Sequence, residues 1–155
     1  MIQRIQSVYL FLASLAIYLL FLFPIANLST ATGAKKKKIM ITGVYETING
    51  QVAQTESFTL LMIATVMIGI VPIVLIFLYK NRKRQLTLVY TAVIVFIAYS
   101  FWISQTVKSA SGTILQISDY GIGAGLTSVA VLFLILAGRG IQRDEKLVKS
   151  ADRLR

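Results

Sequence analysis

Long apolar stretches alternate with short polar ones along this chain. Four of the stretches contain no charged residue: Val8 to Asn27, Phe58 to Tyr79, Leu86 to Thr106 and Gly121 to Gly138. Each is close to the ~20 residues that a helix needs to cross the hydrocarbon core of a bilayer. The pattern predicts an all-α membrane protein, a four-helix transmembrane bundle forming a single domain over residues 1–155. The predicted spans are about 8–27, 58–79, 86–106 and 121–138, with an outer loop at 28–57 and a cytoplasmic tail at 139–155.

The connections carry their own signals. Ile39 to Thr47 is rich in β-branched and aromatic residues, Asn49-Gly50 follows, and Gln51 to Thr55 supplies a returning segment. Asn-Gly between such runs is a strong hairpin-turn signal, so a small extracytoplasmic β-hairpin is expected. Thr113 to Ser118, in the connection before the fourth stretch, is a candidate third strand that would turn the hairpin into a small sheet. Lys80 to Gln85 is too short to be anything but a tight turn between antiparallel neighbours. In the tail, Leu147, Val148, Ala151 and Leu154 fall on one helical face, which predicts a C-terminal amphipathic helix.

Composition agrees with a bilayer environment. Of the 155 residues, 56% are hydrophobic and 14% charged, where soluble domains average about 25% charged. A soluble chain of this size could not bury so much apolar side chain in one core. The first stretch is longer than the ~7–15-residue apolar region of a signal peptide. Phe21-Leu22-Phe23-Pro24 also offers no small-residue cleavage pattern, so retention is expected.

Charge sets the expected orientation. With the N-terminus inside, the inner segments hold Arg4, Lys80, Arg82, Lys83, Arg84, Arg139, Arg143, Lys146, Lys149, Arg153 and Arg155. The outer segments hold only Lys35, Lys36, Lys37, Lys38 and Lys108. The Lys/Arg bias of short loops directs topology, so both termini are expected in the cytoplasm of a bacterial cell, with the chain multi-pass in the inner membrane. The Lys35 to Lys38 run opposes translocation, but the inverted topology would place the larger basic set outside. The net charge of +10 is largely a consequence of this bias, so no nucleic-acid partner is implied.

The chemistry expected of an enzyme is missing from the pattern. The chain has no Cys and no His, which removes disulfides, thiolate nucleophiles and imidazole metal ligands. None of the four stretches contains an ionisable Asp, Glu, Lys, Arg or His, the groups that membrane enzymes and ion-coupled transporters place within the bilayer. Glu46, Glu56 and Asp119 are scattered outer acids and make a weak metal set. No catalytic residue, metal or cofactor is therefore expected.

The remaining signals concern packing and partners. Gly69 and Pro72 lie within the second stretch, and a mid-helix proline both kinks a helix and frees a carbonyl. A packing kink and a functional hinge both fit. The third stretch is the most polar, from Thr87 and Tyr99 to Ser100, Trp102, Ser104 and Gln105. It fits either an aromatic belt with a wet helix end or a polar cavity open to the outside. Gly121 and Gly125 form a small-xxx-small pair, suited to contact within the chain or with a second protein. Arg143, Lys146, Leu147, Lys149 and Arg153 fit contact with anionic lipid at the cytoplasmic face or docking of a partner.

Two terminal motifs add a resemblance. Met1-Ile2-Gln3-Arg4-Ile5-Gln6-Ser7-Val8-Tyr9-Leu10 and Arg143-Asp144-Glu145-Lys146-Leu147-Val148-Lys149-Ser150-Ala151-Asp152-Arg153-Leu154-Arg155 resemble the start and finish of a family of small four-span inner-membrane proteins of Bacteroidota. That family is classed as a domain of unknown function. The resemblance implies location and bacterial group and transfers no catalytic residues. The Lys35 to Lys38 run departs from the family's pattern.

The reading expected from these features is a non-catalytic accessory or scaffolding subunit that binds another envelope component, its partner being another membrane protein or a second copy. The alternative is a small transporter or channel for a neutral or lipidic solute. A green-fluorescent reporter fused after Arg155 should fluoresce, and an alkaline phosphatase fused there should be inactive. The opposite pair of results would invert the assigned faces.

Overall fold

The computed structural model describes residues 3–29, 35–48, 51–78, 81–112 and 115–152. The chain is mainly helical. α1 (Gln3–Tyr18) runs into a 3-10 turn at Leu19–Phe21, and four strands follow: β1 (Ala26–Ser29), β2 (Lys35–Met40), β3 (Gly43–Ile48) and β4 (Gln51–Ser57). Then come α2 (Thr59–Phe77), α3 (Arg82–Ser111), a 3-10 turn at Ile117–Asp119 and α4 (Ile122–Asp152). Three helical segments, Thr59–Phe77, Arg82–Ser111 and Ile122–Leu147, are long and apolar enough to cross a membrane. The apolar helical segment of the first stretch, Ile5–Phe21, is shorter.

Side-chain contacts show how the helices run. Gln6 of α1 meets Asp144 near the end of α4, while the turn after α1 meets the start of α4 at Gly121 and Gly123. These two helices are therefore antiparallel. Ser14 and Tyr18 of α1 reach Gly69 and Val66 of α2 in reversed order. Thr65 and Leu75 of α2 meet Tyr99 and Gln85 of α3 in the same way. Ser100 of α3 meets Thr127 of α4, and Gly138 lies against Val89 and Tyr90. The result is an up-down-up-down bundle. The start of α1, the end of α4, the end of α2 and the start of α3 lie at one end, and the sheet lies at the other.

The first predicted span overshoots its helix. A residue preceding proline is pushed out of the helical region, and Pro24 accordingly follows a tightening 3-10 turn in which Leu22 and Phe23 both donate to the Leu19 carbonyl. Ile25, Ala26 and Asn27, assigned to the span by hydropathy, enter the sheet instead. Ile25 N donates to Ile39 O at 2.9 Å, and Ala26 pairs with Ile39.

The sheet is larger than the expected hairpin. It is antiparallel in the order β1-β2-β3-β4. The expected strand over Ile39 to Thr47 is broken by a tight turn at Ile41-Thr42, after which Gly43 adopts φ +149°. A Cβ at Gly43 would stand 2.1 Å from the Glu56 carbonyl oxygen, so glycine is needed there for both angle and space. Lys35 to Lys38 belong to β2, paired with β1 on one side and β3 on the other. Lys37 also faces its cross-strand partner Glu46 at 3.8 Å. The Asn49-Gly50 turn lies outside the described residues, but Ile48 and Gln51 pair across it.

Of the expected strand over Thr113 to Ser118, the described residues Leu115 to Ser118 form no strand. Thr113 and Ile114 lie outside the described residues, and Ile117–Asp119 winds as a 3-10 turn closed by Gln116 N donating to Asp119 Oδ2 at 2.8 Å. Among the described residues this connection pairs with the sheet through the bridge of Tyr120 to Ala26. Ile39, Ile41 and Val44 bury the sheet's inner side, whereas β4 is exposed along its whole length.

The tail is a continuation rather than a separate surface helix. α4 continues unbroken from Ile122 to Asp152, 31 residues, or about 46 Å at ~1.5 Å per residue. That exceeds the ~30 Å hydrocarbon thickness, so one continuous helix carries both the apolar stretch and the basic residues that follow it. No Gly-Pro break or capping pair separates the two parts.

The contact between α4 and the turn after α1 requires bare backbone. A Cβ on Gly121 would lie 2.4 Å from the Pro24 carbonyl oxygen and one on Gly123 2.7 Å from it, whereas one on Gly125 would meet nothing within 4 Å. Gly123→Ala should therefore destabilise the protein by about 1–3 kcal/mol. Gly125→Ala should be neutral or stabilising by up to ~1 kcal/mol through helix propensity. Denaturation of the two variants in detergent micelles measures this difference, and equal stability would remove the close-contact account.

Candidate functional site

Polar side chains inside the bundle are mostly consumed by structure. Ser14 Oγ donates to the Gly69 carbonyl at 2.6 Å, and Tyr18 Oη donates to the Val66 carbonyl at 3.3 Å. Pro72 is buried in α2 and lacks the N–H that would serve the carbonyl of Ile68. The neighbouring Gly69 carbonyl has Ser14 as its external donor, and the missing side chain of Gly69 lets the Tyr18 ring lie against α2. Gln85 Nε2 donates to the Leu75 carbonyl at 2.8 Å. Thr65 donates to the Leu61 carbonyl at 2.7 Å and shares a hydrogen bond with the Tyr99 hydroxyl.

The polar residues of α3 thus divide into two sets. Tyr99, only 2% exposed, points into the bundle. Ser100 and the exposed Ser104 line a groove between α3 and α4, and Trp102 and Gln105, also exposed, lie outside it. The groove has a volume of about 610 Å³, and Ile97, Phe101, Thr127, Ser128, Val131 and Leu132 complete its lining. A smaller cavity of about 180 Å³ shares Ser100, Ser104 and Thr127 with it and extends toward Ile25, Tyr120 and Gly123 at the sheet end. Toward the other end the two helices close, since Gly138 lies against Val89 and Tyr90.

The groove is hydroxyl-lined but not fully bonded. Ser100 Oγ and Thr127 Oγ1 stand 3.2 Å apart and satisfy one another. The hydroxyls of Ser104 and Ser128 have no hydrogen-bond partner among the described residues. Gly125 is exposed on the Ser128 side of α4, one turn nearer the sheet end. Ser104 and the third-stretch polar pattern were visible in the sequence. Thr127 and Ser128 were not singled out, because only the pairing of α3 with α4 gives them a common surface.

A second polar cluster lies at the opposite end. The sequence pattern puts Asp144 in a solvated tail, but the structure buries it to 7% exposure. Gln6 Nε2 donates to its Oδ2. Its other oxygen, Oδ1, has no hydrogen-bond partner among the described residues. Gly140, one turn earlier in α4, leaves room for Gln6, since a Cβ there would lie 2.9 Å from Gln6 Cγ. The helical continuity of α4 past Gly138 carries Asp144 back over the start of α1, a placement that hydropathy alone does not reveal.

The other residues singled out by the sequence are dispersed. Gly121 packs against Pro24, and Gly69 and Pro72 are buried in α2. Arg143, Lys146 and Leu147 are exposed on the distal part of α4. Lys149 lies on the same helix, and Arg153 is outside the described residues. Among the described residues no group of three or more acidic side chains is placed to hold a metal ion.

A family profile described as a domain of unknown function, DUF4293, matches residues 2–154, so the chain belongs to that family. No curated protein matches the chain.

The Gln6–Asp144 contact should couple α1 to α4 measurably. Gln6→Leu removes the donor to a buried carboxylate and should cost about 2 kcal/mol, while Gln6→Leu with Asp144→Leu should recover part of that loss. Denaturation across the double-mutant cycle reads the coupling, and additive effects would show that the contact is not coupled.

Proposed function

We propose that this DUF4293 member is a non-catalytic integral protein of the bacterial inner membrane that works by holding another envelope component. In this reading α1 is the fourth membrane span and both termini face the cytoplasm. The basic distal part of α4 then stands at the anionic cytoplasmic leaflet. The resemblance of the terminal motifs to those of Bacteroidota proteins supports this bacterial location.

One observation carries the reading. Most polar groups between the helices are bonded within the chain, but the groove between α3 and α4 presents two hydroxyls, Ser104 and Ser128, with no partner among the described residues. An unbonded hydroxyl facing hydrocarbon is unfavourable, and a bound component that accepts a hydrogen bond would relieve it. The small side chains nearby, including exposed Gly125, allow close approach. The close contact of the same helices at Gly138 favours a binding groove over the alternative of a transport path, because Val89 and Tyr90 close the seam beyond the groove.

A photoreactive residue at Gly125 should form an adduct in living cells, whereas the same residue at exposed Ile63 on α2 should give little. Intact-mass analysis of the purified chain identifies the adduct. Equal labelling at the two positions, or none at Gly125, would refute a binding face on α3 and α4.

A further inference from the structure

We infer that the groove between α3 and α4 holds one acyl chain of an anionic phospholipid from the leaflet on the sheet side, with the phosphate over Lys108. The inference rests on the binding reading above and names the chemistry of what is bound. It comes from the order of side chains along the groove. The part farther from the sheet is apolar and aromatic, lined by the exposed side chains of Ile97, Phe101 and Leu132. Nearer the sheet, Ser104 and Ser128 present hydroxyls with no partner among the described residues.

Lys108 comes next. It follows Ser104 by four residues, so the two share a face of α3 about 6 Å apart along the axis. It is exposed in the last turn of the helix, and its ammonium has no ion-pair partner among the described residues. Asp119, on the connection leading to α4, directs its Oδ2 to the Gln116 amide instead.

Hydrocarbon, then hydroxyl donors, then a cation is the order in which a glycerophospholipid presents an acyl chain, ester carbonyls and a phosphate. The ester carbonyls are acceptors only, which suits two unpaired hydroxyl donors. The phosphate supplies the opposite charge for Lys108, which can extend along the groove with its head in the interfacial region. A groove volume of about 610 Å³ falls within the ~300–1,000 Å³ range of ligand sites. A purely apolar occupant would leave both hydroxyls and the ammonium without partners.

The test is native mass spectrometry of the full chain in mild detergent, titrated separately with phosphatidylglycerol and phosphatidylcholine carrying identical acyl chains. Phosphatidylglycerol should be retained at about fivefold lower concentration, the effect of one basic residue near the lipid surface. Lys108→Gln should abolish that preference, and Lys36→Gln with Lys38→Gln should keep it. Ser128→Phe, checked for an unchanged melting temperature, should reduce retention of both lipids by filling the groove.

Equal retention of the two lipids by the unaltered chain would overturn the inference. So would a preference that survives Lys108→Gln, or one lost equally on changing Lys36 and Lys38. If the adduct at Gly125 is a protein and no lipid preference is found, the lipid inference fails while the binding reading stands. Absence of any adduct at Gly125 removes the binding reading itself.

Discussion

Hydrocarbon offers no water to a stray donor or acceptor, and this one constraint organises the helices of the protein. Each unpaired polar group costs several kcal/mol in such surroundings, so every packed pair of helices is joined by at least one side-chain hydrogen bond. Ser14 and Tyr18 tie α1 to carbonyls of α2, and Gln85 and Tyr99 tie α3 to Leu75 and Thr65 of the same helix. Ser100 meets Thr127, and Gln6 meets Asp144. Apolar packing between helices is little better than packing against lipid, so these few polar contacts and the close approaches at glycine define which faces meet. Pro72 fits this scheme, since the altered backbone around it lies beside a serine hydroxyl from α1.

The sheet is joined to the bundle by backbone hydrogen bonds as well as by the buried side chains of Ile39, Ile41 and Val44. Gly121 N donates to Ile25 O at 2.8 Å and Gly123 N to Pro24 O at 2.9 Å, and Ala26 bridges to Tyr120. The start of α4 and the exit from α1 therefore form one joint, and the first strand grows directly from it. Close backbone approach here explains the glycines more fully than a helix-pairing motif does. Of the expected pair, Gly121 is engaged with Pro24, while Gly125 faces outward.

The groove stands apart from this economy of polar groups. Most hydroxyls elsewhere in the helices either bond back to their own helix, as Thr87, Thr91 and Thr106 do, or meet a neighbour. Among the described residues Ser104 and Ser128 do neither, and they share one surface. Structural requirements of the isolated chain do not account for them. The proposed binding role rests on these two positions.

Hydropathy was sufficient to locate three helices long and apolar enough to cross a membrane and a shorter apolar helix before them, because length and absence of charge are local properties. It also located the connecting sheet region, through β-branched residues and Asn49-Gly50, but not its strand count. The turn at Ile41-Thr42 depends on Gly43 meeting the Glu56 backbone, a contact between residues distant along the chain. Likewise Ala26 looked like span and became strand, since Pro24 ended the helix and Ile39 and Tyr120 offered partners. The polar residues of α3 were visible, but their division into an inward Tyr99 and groove-facing Ser100 and Ser104 was decided by which helices lie on either side. Asp144 shows the same limit: its charge reads as solvated tail, and only the antiparallel return of α4 past the start of α1 buries it. Membrane character is written in single segments, whereas the site is a property of pairs, and pairs exist only once the helices have packed.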